Sequence, residues 1–241
     1  MSELLKVVDA YGGYGETEVL HGISLEVDEG ESIGIVGPNG HGKTTLLNHI
    51  SGLRRLTSGQ IVFGGTDITR ASTAAIVEAG FIHVAQGSRL FPECTVIENL
   101  ELGSYSRRAR GRRAANLAHV LELFPRLAER RTQQSKTLSG GERQMLAIGV
   151  GIMSQPRLLV LDEPCLGLAP SIKLELARQV ATLRADGTSL IVIDGDLQFV
   201  LGLTDRWVGV ESGRVRAEGG SMDDDATERI VDLMFGKVED A

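Results

Sequence analysis

Only two cysteines occur in the chain, Cys94 and Cys165, far apart in sequence. That excludes a disulfide framework and makes a reducing compartment the expectation. Aromatics are scarce, at 4% of 241 residues, so a stacking platform for nucleic acid has little to be built from. An excess of positive charge is lacking too. The formal net charge is −7, whereas neutralising nucleic-acid phosphates takes clustered Lys and Arg. No apolar run approaches the ~20 residues of a membrane span, and MSELLKVVDA holds no apolar signal-peptide core. If the protein serves a membrane process, another chain is expected to supply the membrane part.

Glycine, by contrast, is abundant, with 30 residues in a chain that is 42% hydrophobic and 24% charged. Such a balance fits a soluble α/β protein with many tight strand-to-helix turns. One basic cluster stands out, Arg107, Arg108, Arg110, Arg112 and Arg113. A solvated helix start is the plainest explanation; a nucleic-acid patch or closeness to anionic lipid headgroups are the alternatives.

Along the chain, Ile23, Leu25 and Val27 alternate with polar residues, as in antiparallel strands. Ser32–Val36 is a short apolar run, a buried strand feeding a glycine loop; a helix over Lys43–Ile50 follows, closed by Gly52. Gln60–Phe63 is a further strand. Residues 88–155 change texture, with few β-branched runs and a helical pattern over Ala114–Phe124, stopped by Pro125. Arg157–Leu161 and Ser189–Ile193 have the continuous apolar character of parallel strands buried on both faces. Between them Ser171–Arg184 forms an amphipathic helix after Pro170. Arg206–Glu211 and Arg214–Ala217 flank Ser212–Gly213, a hairpin. The tail holds the acidic Asp223–Asp225 and a short amphipathic helix.

Gly37-Pro38-Asn39-Gly40-His41-Gly42-Lys43-Thr44 matches GxxxxGK[ST], followed by Thr45. Glycines let successive backbone N–H groups face one concavity that takes phosphates, and the helix beginning near Lys43 turns its positive end to the same place. Lys43 is expected on the β- and γ-phosphates and the Thr44 hydroxyl on Mg²⁺. His41 occupies a variable position and is expected to be chemically silent. A strand-to-helix context argues against a chance glycine-rich turn. Leu158-Leu159-Val160-Leu161-Asp162-Glu163 ends a buried strand in two carboxylates. Asp162 is expected to hold Mg²⁺, and Glu163 to act as general base or to position water. Without the phosphate loop, a solvated strand end or a helix cap would be the better explanation of the pair.

Leu138-Ser139-Gly140-Gly141-Glu142-Arg143-Gln144, upstream of a strand ending in Asp-Glu, resembles the signature of ABC ATPases. The resemblance spans about Leu4 to Gly220 and implies a P-loop NTPase fold of the ABC type. That fold has a mainly parallel core, an N-terminal antiparallel β-subdomain and a helical subdomain. The expected layout is one domain over 1–241: residues 1–87 and 156–220 as nucleotide-binding core, 88–155 as the helical signature subdomain and 221–241 as a tail helix. ATP and Mg²⁺ are the implied cofactors. Ser139, Gly140, Gly141 and Glu142 are implied to face ATP bound by a second ATPase subunit, identical or not. Tyr14 resembles the aromatic that stacks on adenine. Gln86 resembles the glutamine that contacts Mg²⁺ and water, and it joins Glu163 as a catalytic residue.

VAQGSRLFPECTVIENL and DEPCLGLAPSI resemble, more finely, the ATPases of importers for branched-chain amino acids, urea and short-chain amides; the short tail suits the smaller ATPase of such a pair. That implies two permease subunits, an extracytoplasmic solute-binding protein, a peripheral place on the cytoplasmic face of the membrane and no nucleic acid. A permease helix is expected in the groove between the Gln86 loop and the helical segment. Gly195, in Ile193-Asp194-Gly195-Asp196, stands where most ABC ATPases have the histidine that contacts the γ-phosphate. Slowed or water-compensated hydrolysis at this chain's own loop is therefore expected, and a regulatory nucleotide-binding subunit or an ABC protein not devoted to import are the rivals. Cys165, where relatives have serine, is expected to be a packing residue.

Overall fold

The computed structural model of the chain describes residues 2–87 and 89–235. Ser88, at the start of the expected helical segment, and the last residues of the expected tail lie outside the described residues. Two sheets divide the strands. The first is antiparallel, ordered β2–β1–β4–β5: β1 (Glu3–Tyr14), β2 (Thr17–Asp28), β4 (Ser58–Phe63) and β5 (Thr66–Asp67). The second follows the order β10–β9–β3–β8–β7–β6 and comprises β3 (Ser32–Val36), β6 (Phe81–Val84), β7 (Leu158–Asp162), β8 (Ser189–Ile193), β9 (Arg206–Glu211) and β10 (Arg214–Gly220). All of its strands run parallel except β10, which returns antiparallel to β9. The hairpin between β9 and β10 turns on Ser212 and Gly213, both at positive φ (47° and 70°), the backbone pattern of a type I′ turn.

Every residue of β3, β7 and β8 is buried, which is why their apolar runs are unbroken rather than alternating. Alternation instead decides which face each side chain supplies. Leu159, Leu161, Leu190 and Val192 pack with α7 (Gly140–Met153), α8 (Pro170–Ala185) and α9 (Leu197–Leu203). Leu158, Val160, Ile191 and Ile193 pack on the other side with α1 (Lys43–Ile50) and the antiparallel sheet. The parallel sheet is thus a middle layer with both faces covered.

Between β6 and β7 the described chain is helical: α3 (Val96–Gly103), α4 (Arg107–Arg110), α5 (Arg113–Leu123), α6 (Pro125–Glu129), then α7. Thr95 and Glu98 form a capping box at α3, and Ser139 and Glu142 form another at α7. Pro125 does end α5, and it also opens α6 at its first position, where its missing N–H costs nothing. The arginine cluster is largely tied down: Ser106 caps α4, Arg108 Nε donates to the Gln155 carbonyl (2.9 Å), and Arg113 pairs with Glu101. Strand β6, α2 (Thr73–Ala79) and α9 were not marked by the sequence patterns; α10 (Ala226–Phe235) is the expected tail helix.

Candidate nucleotide site

The C-terminal ends of the parallel strands collect the chemistry, the edge where α/β sheets place ligands. β3 delivers the glycine loop. At Gly37 (φ 138°) a Cβ would lie 2.0 Å from the Val210 carbonyl oxygen, so the loop leaves the sheet against the backbone of β9 and only glycine fits. Gly42 caps α1 in a left-handed conformation, and α1 begins at Lys43. Lys43 Nζ donates to the carbonyls of Gly37 (2.6 Å) and Pro38 (2.9 Å), which curls the loop around the ammonium group. Burial lowers the Lys43 pKa, and the charges of Glu163 and Asp162 oppose that shift. His41, expected to be chemically silent, has a structural role. Its Nδ1 accepts from the Ser212 N–H (3.1 Å) and its carbonyl from the Gly213 N–H (3.0 Å), bracing the loop on the β9–β10 hairpin.

Neighbouring strands supply the acidic half. Val84 of β6 pairs with Leu161 of β7, and Asp162 with Ile193 of β8, so the residues after each strand emerge side by side. Thr44 Oγ1 donates to Asp162 Oδ1 at 3.3 Å, and Gln86 Nε2 donates to Glu163 Oε2 at 2.6 Å. Glu163 stands at φ 51°, a conformation that costs a non-glycine residue on the order of 1–3 kcal/mol. Its N–H holds that turn on the Ile193 carbonyl (2.7 Å). Asp162 is 1% exposed and its Oδ2 has no hydrogen-bond partner. Behind it stands His83, Nε2 at 3.7 Å, with Nδ1 2.9 Å from Ser51 Oγ. A polar residue inside the apolar strand Phe81–Val84 was the one sequence signal for His83.

Tyr14 ends β1 beside the same helix, its hydroxyl accepting from Thr45 Oγ1 at 3.4 Å. The sequence-expected residues Tyr14, Gly37–Thr45, Gln86, Asp162 and Glu163 therefore converge. A cavity of about 550 Å³ adjoins two of them, Asn39 and Glu163, and is lined also by Lys173, Gly195 and Asp196. A Cβ at Gly195 would meet nothing, and the turn around it is fixed without a side chain there. Asp194 accepts from the N–H groups of Cys165 and Asp196 (both 2.8 Å), and Lys173 pairs with Asp196 (2.9 Å). Cys165 is buried, and burial pushes its thiol up, away from nucleophilic use.

The signature is built apart from this edge. Ser139 Oγ accepts from the Glu142 N–H (3.3 Å), Glu142 Oε2 accepts from the Ser139 N–H (2.8 Å), and Arg130 pairs with Glu142 (2.8 Å). Burial raises the Glu142 pKa, but the bonds from Ser139 and the charges of Arg130 and Arg126 outweigh it and hold the carboxyl low. The two glycines differ. At Gly141 a Cβ would lie 2.7 Å from Ile172 Cγ2, whereas at Gly140 it would meet nothing. Gly141 is needed for packing on α8; Gly140 leaves the helix start open.

A glycine loop between a buried strand and a helix, with two carboxylates at the end of β7 on the same sheet edge, defines a P-loop nucleotide-binding α/β protein. Within that class the match is specific. Residues 20–166 fit the family model of the ABC transporter. The chain is 40% identical over 202 residues to the high-affinity branched-chain amino acid transport ATP-binding protein BraG of Pseudomonas aeruginosa, covering 84% of this chain and 86% of that one. Its fold is similar to an ATP-binding cassette of an ABC transporter in its ADP conformation (TM-score 0.82, 28% identity, 96% of this chain and 99% of that one). It is also similar to a dimeric cassette in a post-hydrolysis state bound to ADP and Pi (TM-score 0.75, 25% identity, 90% of this chain and 99% of that one). The chain belongs to the ABC transporter family and is an ABC ATPase.

Proposed function

We propose that the chain is the ATP-binding subunit of an importer for a small polar solute, with branched-chain amino acids the favoured class. BraG, a branched-chain amino acid transport protein by name, supports that class. Urea, a short-chain amide or another amino acid remain within the same reading. The observation that carries its ATP-handling part is the pair of bonds Thr44–Asp162 and Gln86–Glu163, which bring the phosphate loop and the Gln86 loop onto the two carboxylates after β7.

In this reading the loop from Gly37 to Thr45 wraps the phosphates with its N–H groups, and Lys43 exchanges the carbonyls of Gly37 and Pro38 for phosphate oxygens. Thr44, Asp162 and Gln86 offer an all-oxygen donor set, and the orphaned Asp162 Oδ2 leaves that carboxylate unspent. Such a set fits magnesium, which needs one or two carboxylates and takes its other ligands from phosphate and water. Magnesium there supplies charge neutralisation for the phosphates. Glu163 accepts a proton from, or orients, the attacking water, and Gln86 holds Glu163 in place until the site is filled. Tyr14 stacks on the base.

Ser139, Gly140, Gly141 and Glu142 serve nucleotide held by a second ATPase subunit: the open start of α7 presents unpaired N–H groups to an anion. The dimeric post-hydrolysis relative supports such a pairing. Residues 88–155 would be the signature-bearing subdomain against a nucleotide-binding core of 1–87 and 156–220, with 221–241 as tail. No helix among the described residues is long and apolar enough to cross a membrane. Two permease subunits and an extracytoplasmic solute-binding protein would then complete the system, and the chain would sit peripherally on the cytoplasmic face.

A second reading rests on Gly195 alone. With no side chain to touch the γ-phosphate, this chain's own site turns over slowly while its signature serves the partner. Glu163→Gln in the assembled transporter tests both. ATP turnover and solute uptake should fall by roughly a hundredfold or more if this site hydrolyses; unchanged turnover would assign hydrolysis to the partner's site.

A further inference from the structure

The base end of the site carries a residue that no motif marks. Arg54 follows α1, its N–H donating to the Asn48 carbonyl (3.1 Å), and its side chain is exposed. Instead of extending into solvent, the guanidinium lies over the ring of Tyr14, with Cζ 4.0 Å from the ring centroid. That is stacking contact, well inside the ~6 Å reach of a cation–π interaction.

Tyr14 is registered to the phosphate loop through α1. Thr45 and His49, one turn apart and both buried, form the face of α1 beneath the end of β1. Gly12 lies against His49, where a Cβ would come within 2.4 Å of Nε2, and the Tyr14 hydroxyl rests on Thr45. Backbone and hydroxyl are therefore fixed, but the ring is 42% exposed and could still rock about that edge. Arg54 removes that freedom by covering one face. The opposite face is then what the side chain offers to a planar ligand.

We infer that Arg54 is a positioning residue for the purine of the bound nucleotide, acting through Tyr14 in a guanidinium–phenol–base stack. The inference rests on the reading of Tyr14 as the base platform. A cation on the far face orients the ring and keeps the base from stacking on the wrong side. Arg54 contributes nothing to phosphate contacts, so its effect separates the two ends of the ligand.

Calorimetric titration of the full chain with ADP and with inorganic pyrophosphate tests this in wild type, Arg54→Ala, Arg54→Lys, Tyr14→Ala and the double variant Tyr14→Ala/Arg54→Ala. Arg54→Ala should weaken ADP about threefold to tenfold, leave pyrophosphate unchanged, and add nothing in the Tyr14→Ala background. Arg54→Lys should recover part of the loss. The unfolding midpoint of Arg54→Ala should not move, because that side chain is exposed. Unchanged or tighter ADP binding in Arg54→Ala would overturn the inference, the latter by placing the guanidinium in the base's own position. An equal loss for pyrophosphate would also overturn it, making Arg54 a phosphate-binding charge. Wild-type ADP affinity in Tyr14→Ala would instead sink the platform reading, whereas a loss from Arg54→Ala that persists without Tyr14 would sink only the inference.

Discussion

Two glycine-rich helix starts in this chain, at α1 and at α7, use the same elements to different ends. At α1 the loop is closed on itself: Lys43 holds the Gly37 and Pro38 carbonyls, His41 ties it to the β9–β10 hairpin, and Thr44 reaches Asp162 on β7. At α7 the bonds are local to the helix start, Ser139 and Glu142 capping each other and Arg130 pairing with Glu142. In the proposed reading the first is a whole site and the second is half of one. A helix N-terminus with its own cap satisfied and its first glycine facing open space fits a surface completed by something outside the chain.

The neighbouring glycines of the signature sharpen that contrast most. Gly140→Val places a side chain where the structure has room, so the chain should fold normally while ATP turnover of the assembled transporter drops roughly a hundredfold or more through the blocked second site. Gly141→Val should act on the fold instead. Its side chain runs into Ile172, overpacking that costs about 1–3 kcal/mol, or a loss of roughly 2–10 °C in Tm by calorimetry. If Gly140→Val destabilised the chain as much as Gly141→Val, the open side of α7 would be packing and not a site. The smallest effect is expected at Gly195. Gly195→His has space for its Cβ and restores a hydrogen-bond donor near the phosphates, so turnover at saturating ATP should rise about twofold to tenfold. No change there would mean that the turn of Asp194–Asp196, held by Lys173, already does what that side chain does elsewhere.

The two sites also differed in how far the sequence revealed them. The phosphate loop declares itself because its geometry is local: Gly37 and Gly42 must take backbone conformations few residues tolerate, and Lys43 and Thr44 follow within one turn. The carboxylates of Asp162 and Glu163 were legible because a fully buried strand precedes them. Residues that meet across the fold left no such pattern. His41's bracing role shows only once the Ser212–Gly213 hairpin is placed against it, and Ser51, His83 and Asp162 come from three elements that only the sheet order brings together. Strand β6 passed unmarked although Gln86, two residues beyond its end, did not. Four residues are too short a run for periodicity to assert itself. Gly140 and Gly141 were indistinguishable in sequence, and only Ile172 separates them.

Nucleotide binding by the full chain on its own, titrated for wild type, Lys43→Ala and Gly140→Val with magnesium and a non-hydrolysable ATP analogue, is the most direct test. If α1 carries a whole site and α7 half of one, Lys43→Ala should lose roughly tenfold to a hundredfold in affinity, and Gly140→Val should bind as wild type does. Equal losses from the two variants, or full affinity in Lys43→Ala, would contradict the account.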